Sequence, residues 1–219
     1  VAGGSGKNDG VKIMSCQLFS GGKSAADAAT ARAVKYAADN GACIIQCSYG
    51  YSSASGGSNM TTDKKFKEFS PLLVEALEYF YKSKNCEALD GGIAIYAAGN
   101  DGKLVSSYPG AYCRNISVTA IGPDGLPAAY TNYGPGCNIA APGGEVSGFS
   151  GGSKAGILST VCSELPDTQD ADYAFLQGTS MACPHVSGVA ALGLSYALKI
   201  GKKFTRDEYI AMMLNSVND

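Results

Sequence analysis

The sequence predicts an α/β domain of three layers around a mostly parallel central sheet, and three observations point there. Short apolar runs bounded by turn residues recur at 42–48, 91–100 and 116–122, the pattern of strands covered on both faces. Stretches with the helical period alternate with those runs or follow them, as strand–helix–strand units require. Glycine makes up 29 of the 219 residues while only 16% are charged, against about 25% in an average soluble domain, which suits buried strands joined by tight turns. One domain spanning 1–219 is expected, because a single core of this size is ordinary.

Residues 11–19 (VKIMSCQLF) are apolar and β-prone and lead into Ser20-Gly21-Gly22, a turn. A helix is expected at 25–39: Ser24 and Asp27 have capping-box spacing, Ala26, Ala29, Ala33, Tyr36 and Ala37 recur at helical intervals, and Gly41 stands where a helix ends. ACIIQCS (42–48) reads as a fully buried strand. After a polar stretch at 49–63, Ser70-Pro71 caps and opens a helix running to Lys82, with Leu73, Leu77 and Phe80 or Tyr81 on one side. GGIAIYAAGN (91–100) and ISVTAIG (116–122) are further strands, Pro123-Asp124-Gly125 is a turn and 137–141 a short strand. Two helices close the chain near 180–199 and 206–216, the second begun by a Thr205/Glu208 capping box.

A net charge of -2 with no Lys/Arg stripe offers no electrostatic footprint for nucleic acid or an anionic membrane. No apolar run reaches 18 residues, so membrane insertion is not expected, and residues 1–10 lack the marks of a natural secretory start. Of eight cysteines, Cys16, Cys43, Cys47 and Cys183 sit among apolar or small residues, where a reduced thiol packs as a small hydrophobe. Disulfide bonds are the alternative reading. With no CxxC pair and a single histidine, no zinc or other metal site is assigned.

Gly178-Thr179-Ser180-Met181-Ala182-Cys183-Pro184-His185-Val186-Ser187-Gly188 carries the sharpest chemical signal. A serine at the start of a helix lies beside unpaired N–H groups and the positive end of the dipole, which favours the anion formed in acyl transfer. Ser180 is therefore a candidate nucleophile; the plain structural reading is a helix cap. Asn100, after Ala98-Gly99 at the end of a buried strand, can project its amide into a cleft at the carboxyl edge of the sheet. Asn-Asp-Gly at 100–102 is also good turn chemistry.

GTSMACPHVSG closely resembles the nucleophile motif of the subtilisin family of serine proteases, and Ala182 separates it from the G-x-S-x-G elbow of α/β-hydrolases. The likeness keeps the family's order along nearly the whole chain. VKIMSCQLF resembles its first central strand after the catalytic histidine, IIQCSYG the strand ending in a substrate-binding edge, and AAGN (97–100) its oxyanion segment. YPGAYCRNISVTAIG (108–122) resembles the next strand with its loop, and YTNYGPGCNIAAPG (130–143) the run ending in Ala-Pro-Gly.

The resemblance implies a subtilisin-like fold and endopeptidase activity through an acyl-enzyme on Ser180, with Asn100 donating to the oxyanion. It also implies that Ser48, Tyr49 and Gly50 pair with the backbone of a peptide or protein substrate. Opposite Ala98 and Gly99, they would wall the pocket for the residue before the cleaved bond. Tyr49 departs from the leucine often found in the family, and Ser20-Gly21-Gly22 is a candidate second edge strand. Calcium, common in the family, is a possible ligand matched to no particular loop, and export from the cell is expected by resemblance alone.

A serine hydroxyl needs a base, and the family uses a histidine held by an aspartate, in the chain order Asp, His, Ser. His185 is five residues past Ser180, about 500° of rotation and about 7.5 Å of rise along a helix, and would face away. Gly3-Gly4-Ser5-Gly6 cannot continue the helix that bears the family's histidine. Both partners are therefore expected from an upstream segment of the same protein, and the chain alone is expected to be an inactive, N-terminally truncated catalytic domain. A non-catalytic peptide-binding protein of the same fold is the alternative. A Ser–Lys pairing finds no lysine within the motif.

Overall fold

In the computed structural model, which describes residues 11–20, 23–51, 60–161 and 172–217, residues 11–18 form no strand. Only β1 (Phe19–Ser20) pairs, antiparallel, with β2 (Lys23–Ser24). The strand expected at 11–19 is thus reduced to its end, and Ile13 stands 93% exposed because no neighbouring strand covers it. Gly21 and Gly22 of the expected turn and edge strand lie outside the described residues, as do 1–10, with Gly3-Gly4-Ser5-Gly6, and 52–59 of the polar stretch.

The first helix, α1 (Asp27–Asp39), starts after Ala26, which supplies no side-chain cap. The expected Ser24/Asp27 box fails because the Asp27 carboxylate is engaged elsewhere, accepting from the hydroxyls of Tyr51 and Ser70 at 2.5 Å each. Next comes β3 (Ile44–Cys47), which is only partly buried. It lies at the edge of the sheet, which corrects the fully buried strand expected at 42–48. The helix α2 (Asp63–Phe69), with Thr62 as its N-cap, was not foreseen, since one buried anchor, Phe66, sits among charged residues. In α3 (Pro71–Phe80) Pro71 opens the helix as expected, but the Ser70 hydroxyl serves Asp27 and makes no cap bond.

The chain continues through β4 (Leu89–Asp90), β5 (Ile93–Ala97), β6 (Ile116–Ile121) and β7 (Ile139–Pro142). An antiparallel pair unforeseen in the sequence, β8 (Ile157–Thr160) with β9 (Tyr173–Leu176), precedes α4 (Thr179–Lys199). A short β10 (Phe204–Thr205) leads into α5 (Arg206–Leu214), where the Thr205/Glu208 capping box is present in full.

The central sheet runs β3-β5-β6-β7, every pair parallel. Alternation along β5 sorts its side chains onto two faces. Ile93, Ile95 and Ala97 join Val118, Val186, Leu194 and Tyr209 in the core under α4 and α5. Ala94 and Tyr96 join Val34, Phe66, Leu73, Leu77 and Phe80 in the core under α1, α2 and α3. Two cores on opposite faces of one sheet are the three layers expected. Full burial of a side chain such as Ile95 or Leu77 contributes about 1.5–3 kcal/mol. The helix α4 has the length and hydropathy of a membrane span, yet it is the helix laid against β3, β5, β6 and β7.

Candidate active site

Because the strands are parallel, their carboxyl ends gather at one edge, and there the chain after β3 and after β5 meets the start of α4. Ser48, Tyr49 and Gly50 follow β3, Gly99 and Asn100 follow β5, and Thr179 and Ser180 open α4. Together with Tyr51, Ala97, Asp101 and Ser107 they line one cleft of about 270 Å³. The two residues with the strongest chemical signal, Ser180 and Asn100, thus share a cavity.

Thr179 sets the orientation of Asn100. It is fully buried, and both its N–H and its Oγ1 hydroxyl donate to Asn100 Oδ1 at 2.8 Å. Gly99 N–H in turn donates to Thr179 Oγ1 at 3.2 Å. With Oδ1 occupied twice, Asn100 presents its NH2 as the donor still available to a ligand. Glycine is required beside it: Gly99 has φ +109°, and a Cβ there would lie 2.4 Å from Asn132 Nδ2 and 2.6 Å from Ser107 Oγ. Gly178, at φ +146°, likewise allows the sharp entry that turns Thr179 N–H toward Asn100.

Ser180 lies in the first turn of α4, where N–H groups have no intrahelical acceptor four residues back. Ser180 Oγ donates to Ser48 O at 3.2 Å, and Ser48 Oγ returns a bond to Ser180 O at 2.7 Å. Gln46 Nε2 braces this exchange by donating to Ser48 Oγ at 2.6 Å. The tip of β3 is thereby fastened to the start of α4. His185 Nδ1 sits 2.8 Å from Met181 O of its own helix, engaged away from Ser180 Oγ.

The expected walls are placed unevenly. Ser48, Tyr49, Gly50 and Gly99 line the cleft. Ala98 does not: its side chain is fully buried and its backbone is bonded to Val118, Ser107 and Asn132, so Ala97 stands in the lining instead. The Tyr49 ring packs edge-on against Phe19 and Tyr96, with centroids 5.9 and 5.8 Å away, and burial pushes its hydroxyl far above the usual range. Sequence reasoning misses the orienting part of Thr179, although its place between Gly178 and Ser180 could have suggested it. It also misses Tyr51, which Asp27 and Ser70 hold at the cleft and which no local signal marks.

Cys47 and Cys183 are buried as expected, Cys43 is partly buried, and Cys16 is exposed because the strand expected to carry it into the sheet does not form. Among the described residues no three His, Cys, Asp or Glu side chains are grouped for a metal ion.

Known proteins resemble this chain in sequence and in fold. Thermitase of Thermoactinomyces vulgaris is 29% identical over 180 residues, which are 82% of this chain and 50% of thermitase. The extracellular basic protease of Dichelobacter nodosus is 36% identical over 129 residues, 58% of this chain and 20% of that protein. Among solved structures, a lanthipeptide protease shares the fold with a TM-score of 0.71 at 21% identity, covering 90% of this chain and 60% of that one. The prenylagaramide maturation protease PagA gives a TM-score of 0.62 at 28% identity, covering 85% and 56%. The chain therefore spans half or less of these curated relatives. The model of the subtilase family, peptidase S8, matches residues 1–219, and the chain belongs to that family of serine proteases.

Proposed function

We propose that this domain is the nucleophile-bearing part of a serine endopeptidase, with Ser180 as the attacking group. The observation that carries the reading is the shared cleft: Ser180 and Asn100 line one cavity, and Thr179 fixes the Asn100 amide. In the reaction, Ser180 Oγ gives its proton to a base and attacks the scissile carbonyl carbon. The tetrahedral intermediate then breaks its C–N bond, the amine leaves with that proton, and the acyl-enzyme remains. Ser180 N–H and Asn100 Nδ2 donate to the oxygen that becomes negative, where preorganised donors in a dry site act most strongly. The substrate backbone lies as an added strand along Ser48, Tyr49 and Gly50, with Gly99 and Ala97 on the other side of the pocket.

The hydroxyl proton needs an acceptor, and the one histidine in residues 1–219 is bonded within its own helix. The base and the carboxylate that orients it come from a further segment of the same protein, so 1–219 alone is catalytically silent. What remains without them, an oxyanion hole and binding, yields only about 10³–10⁴-fold over water. Export to the cell exterior is part of the proposal, supported by relatives described as extracellular proteases. Calcium, suggested by family likeness alone, has no assigned residues, and no step passes through a metal.

A fluorophosphonate probe tests the assignment. Labelling at Ser180 is expected when 1–219 is combined with a segment bearing the histidine and aspartate, and not with 1–219 alone or with Ser180→Ala. Efficient peptide hydrolysis by 1–219 alone, or failure of the combined protein to label, would overturn it.

A further inference from the structure

The cysteines divide by setting. Cys47 and Cys183 lie inside the core, where burial pushes their thiols up to about 12 and about 11, and Cys183 Sγ points its proton at Ile95 O and Cys47 O, 3.5 and 3.8 Å away. Such thiols are shielded from reagents. Cys16 and Cys113 are exposed on the surface. Cys43, Cys86 and Cys137 fit neither group, being partly exposed, and of these Cys43 and Cys86 both pack at the rim of the core beneath α4 and α5.

The backbone around these two is held so that they stay together. Asn85 Nδ2 donates to Ala42 O at 2.9 Å and to Ala38 O at 2.6 Å, pinning the residue before Cys86 onto the residue before Cys43. Cys43 O accepts from Ile93 N at 3.0 Å and Cys86 O from Leu89 N at 3.2 Å, which anchors each cysteine by its own carbonyl. Both thiols are reduced in the structure, and burial first, then the charge of the neighbouring Cys86, lift Cys43 to about 11.

We propose that Cys43 and Cys86 are a disulfide-forming pair, oxidised by a small-molecule or protein disulfide through thiol–disulfide exchange. One cysteine, as thiolate, attacks the oxidant's S–S bond to give a mixed disulfide and one reduced thiol. The other then displaces the second half, forming the Cys43–Cys86 bond. Two protons and two electrons leave the protein on the two reduced thiols of the oxidant. In an oxidising compartment this is the bond that persists. It would fasten the root of β3, an edge strand, to the connection between α3 and β4. The opposite end of β3 leads to Ser48, which holds Ser180, so the bond stiffens the wall that carries the nucleophile's neighbour.

The test is chemical and independent of peptidase activity. The purified protein is equilibrated with glutathione couples of rising oxidised fraction, free thiols are blocked with N-ethylmaleimide before unfolding, and a tryptic digest is run without reductant. The expected product links peptide 36–64 to peptide 85–103, with fragment ions assigning the bond to Cys43 and not to Cys47, which shares the first peptide. The link is lost in Cys43→Ser and in Cys86→Ser and kept in Cys47→Ser. Oxidation raises the Tm of the unmodified sequence by about 5–15 °C and leaves both single variants unshifted. Maleimide on both Cys43 and Cys86 after equilibration with fully oxidised glutathione would overturn the proposal, as would a bond from either to another cysteine.

Discussion

Strand β5 and the segment 11–18 begin from similar material and end differently. Both are short, largely apolar runs with two β-branched residues each, Ile93 and Ile95 in β5 and Val11 and Ile13 in 11–18. All five residues of β5 are buried, with β3 paired on one edge, β6 on the other and helices over both faces. Residues 11–18 form no strand pairing among the described residues, Leu18 O accepting from Ala25 N–H at 2.7 Å, and Ile13 is 93% exposed. Strand propensity describes a surface that fits a pleated, covered layer, and what turns it into a strand is the neighbour. The working group follows the same rule, since Asn100 is held because the strand beneath it is locked on every side.

The largest break in this comparison comes from Ile95→Ala. It removes a fully buried side chain from the middle of the sheet, and the expected loss is about 2–5 kcal/mol, read as a lowered urea midpoint with an unchanged slope. A loss below about 1 kcal/mol would mean that β5 is not the centre of the core. Asn100→Ala asks whether the locked strand delivers chemistry. In the protein combined with its histidine and aspartate, kcat should fall about 10²–10³-fold, the effect known for loss of the matching donor in subtilisin itself, with little change in KM. A rise in KM with kcat unchanged would assign Asn100 to substrate binding.

How much was legible follows the same division. The strands at 91–100 and 116–122 and the helices at 71–82 and 180–199 were readable because period and punctuation are local. The Thr205/Glu208 box was readable for the same reason, being three residues apart on one chain segment. What was not legible depended on distant partners: Asp27 was drawn from its own helix cap by Tyr51 and Ser70, and Ala98 was withdrawn from the cleft by Asn132 and Ser107. In the site, Ser180 and Asn100 could be named from motif and strand end, but their joining through Thr179 spans 79 residues. The exposed 11–18 is the same lesson in reverse, because the sequence carries a strand's composition without its neighbours.

Local structure offers a smaller test. Thr205→Ala should cost about 1 kcal/mol through loss of the cap. Glu208 sharpens it by pH: hydrogen bonds from Thr205 N–H and the Thr205 hydroxyl hold its carboxyl below the usual range. A carboxylate lowered in the folded state adds stability that is present above its unfolded pKa and is lost as pH falls through the folded one. The advantage of the native protein over Glu208→Gln should therefore be present at neutral pH and fade on acidification below the ordinary glutamate range. An advantage unchanged down to the lowest pH at which the protein stays folded would remove Glu208 from the box.

The smallest expected effect is the most demanding on the comparison. Ile13→Ala removes as much hydrocarbon as Ile95→Ala, from a sequence of similar character, so only the surroundings differ. With the side chain almost wholly in water, there is no cavity to leave and little transfer energy to lose, and the change in stability should stay within about 0.5 kcal/mol. The pair of substitutions then isolates the contribution of neighbours to a strand, because residue type is held constant. A cost for Ile13→Ala approaching that of Ile95→Ala, in the same urea titration, would mean that 11–18 is packed against the fold in solution, and the contrast between the two segments would collapse.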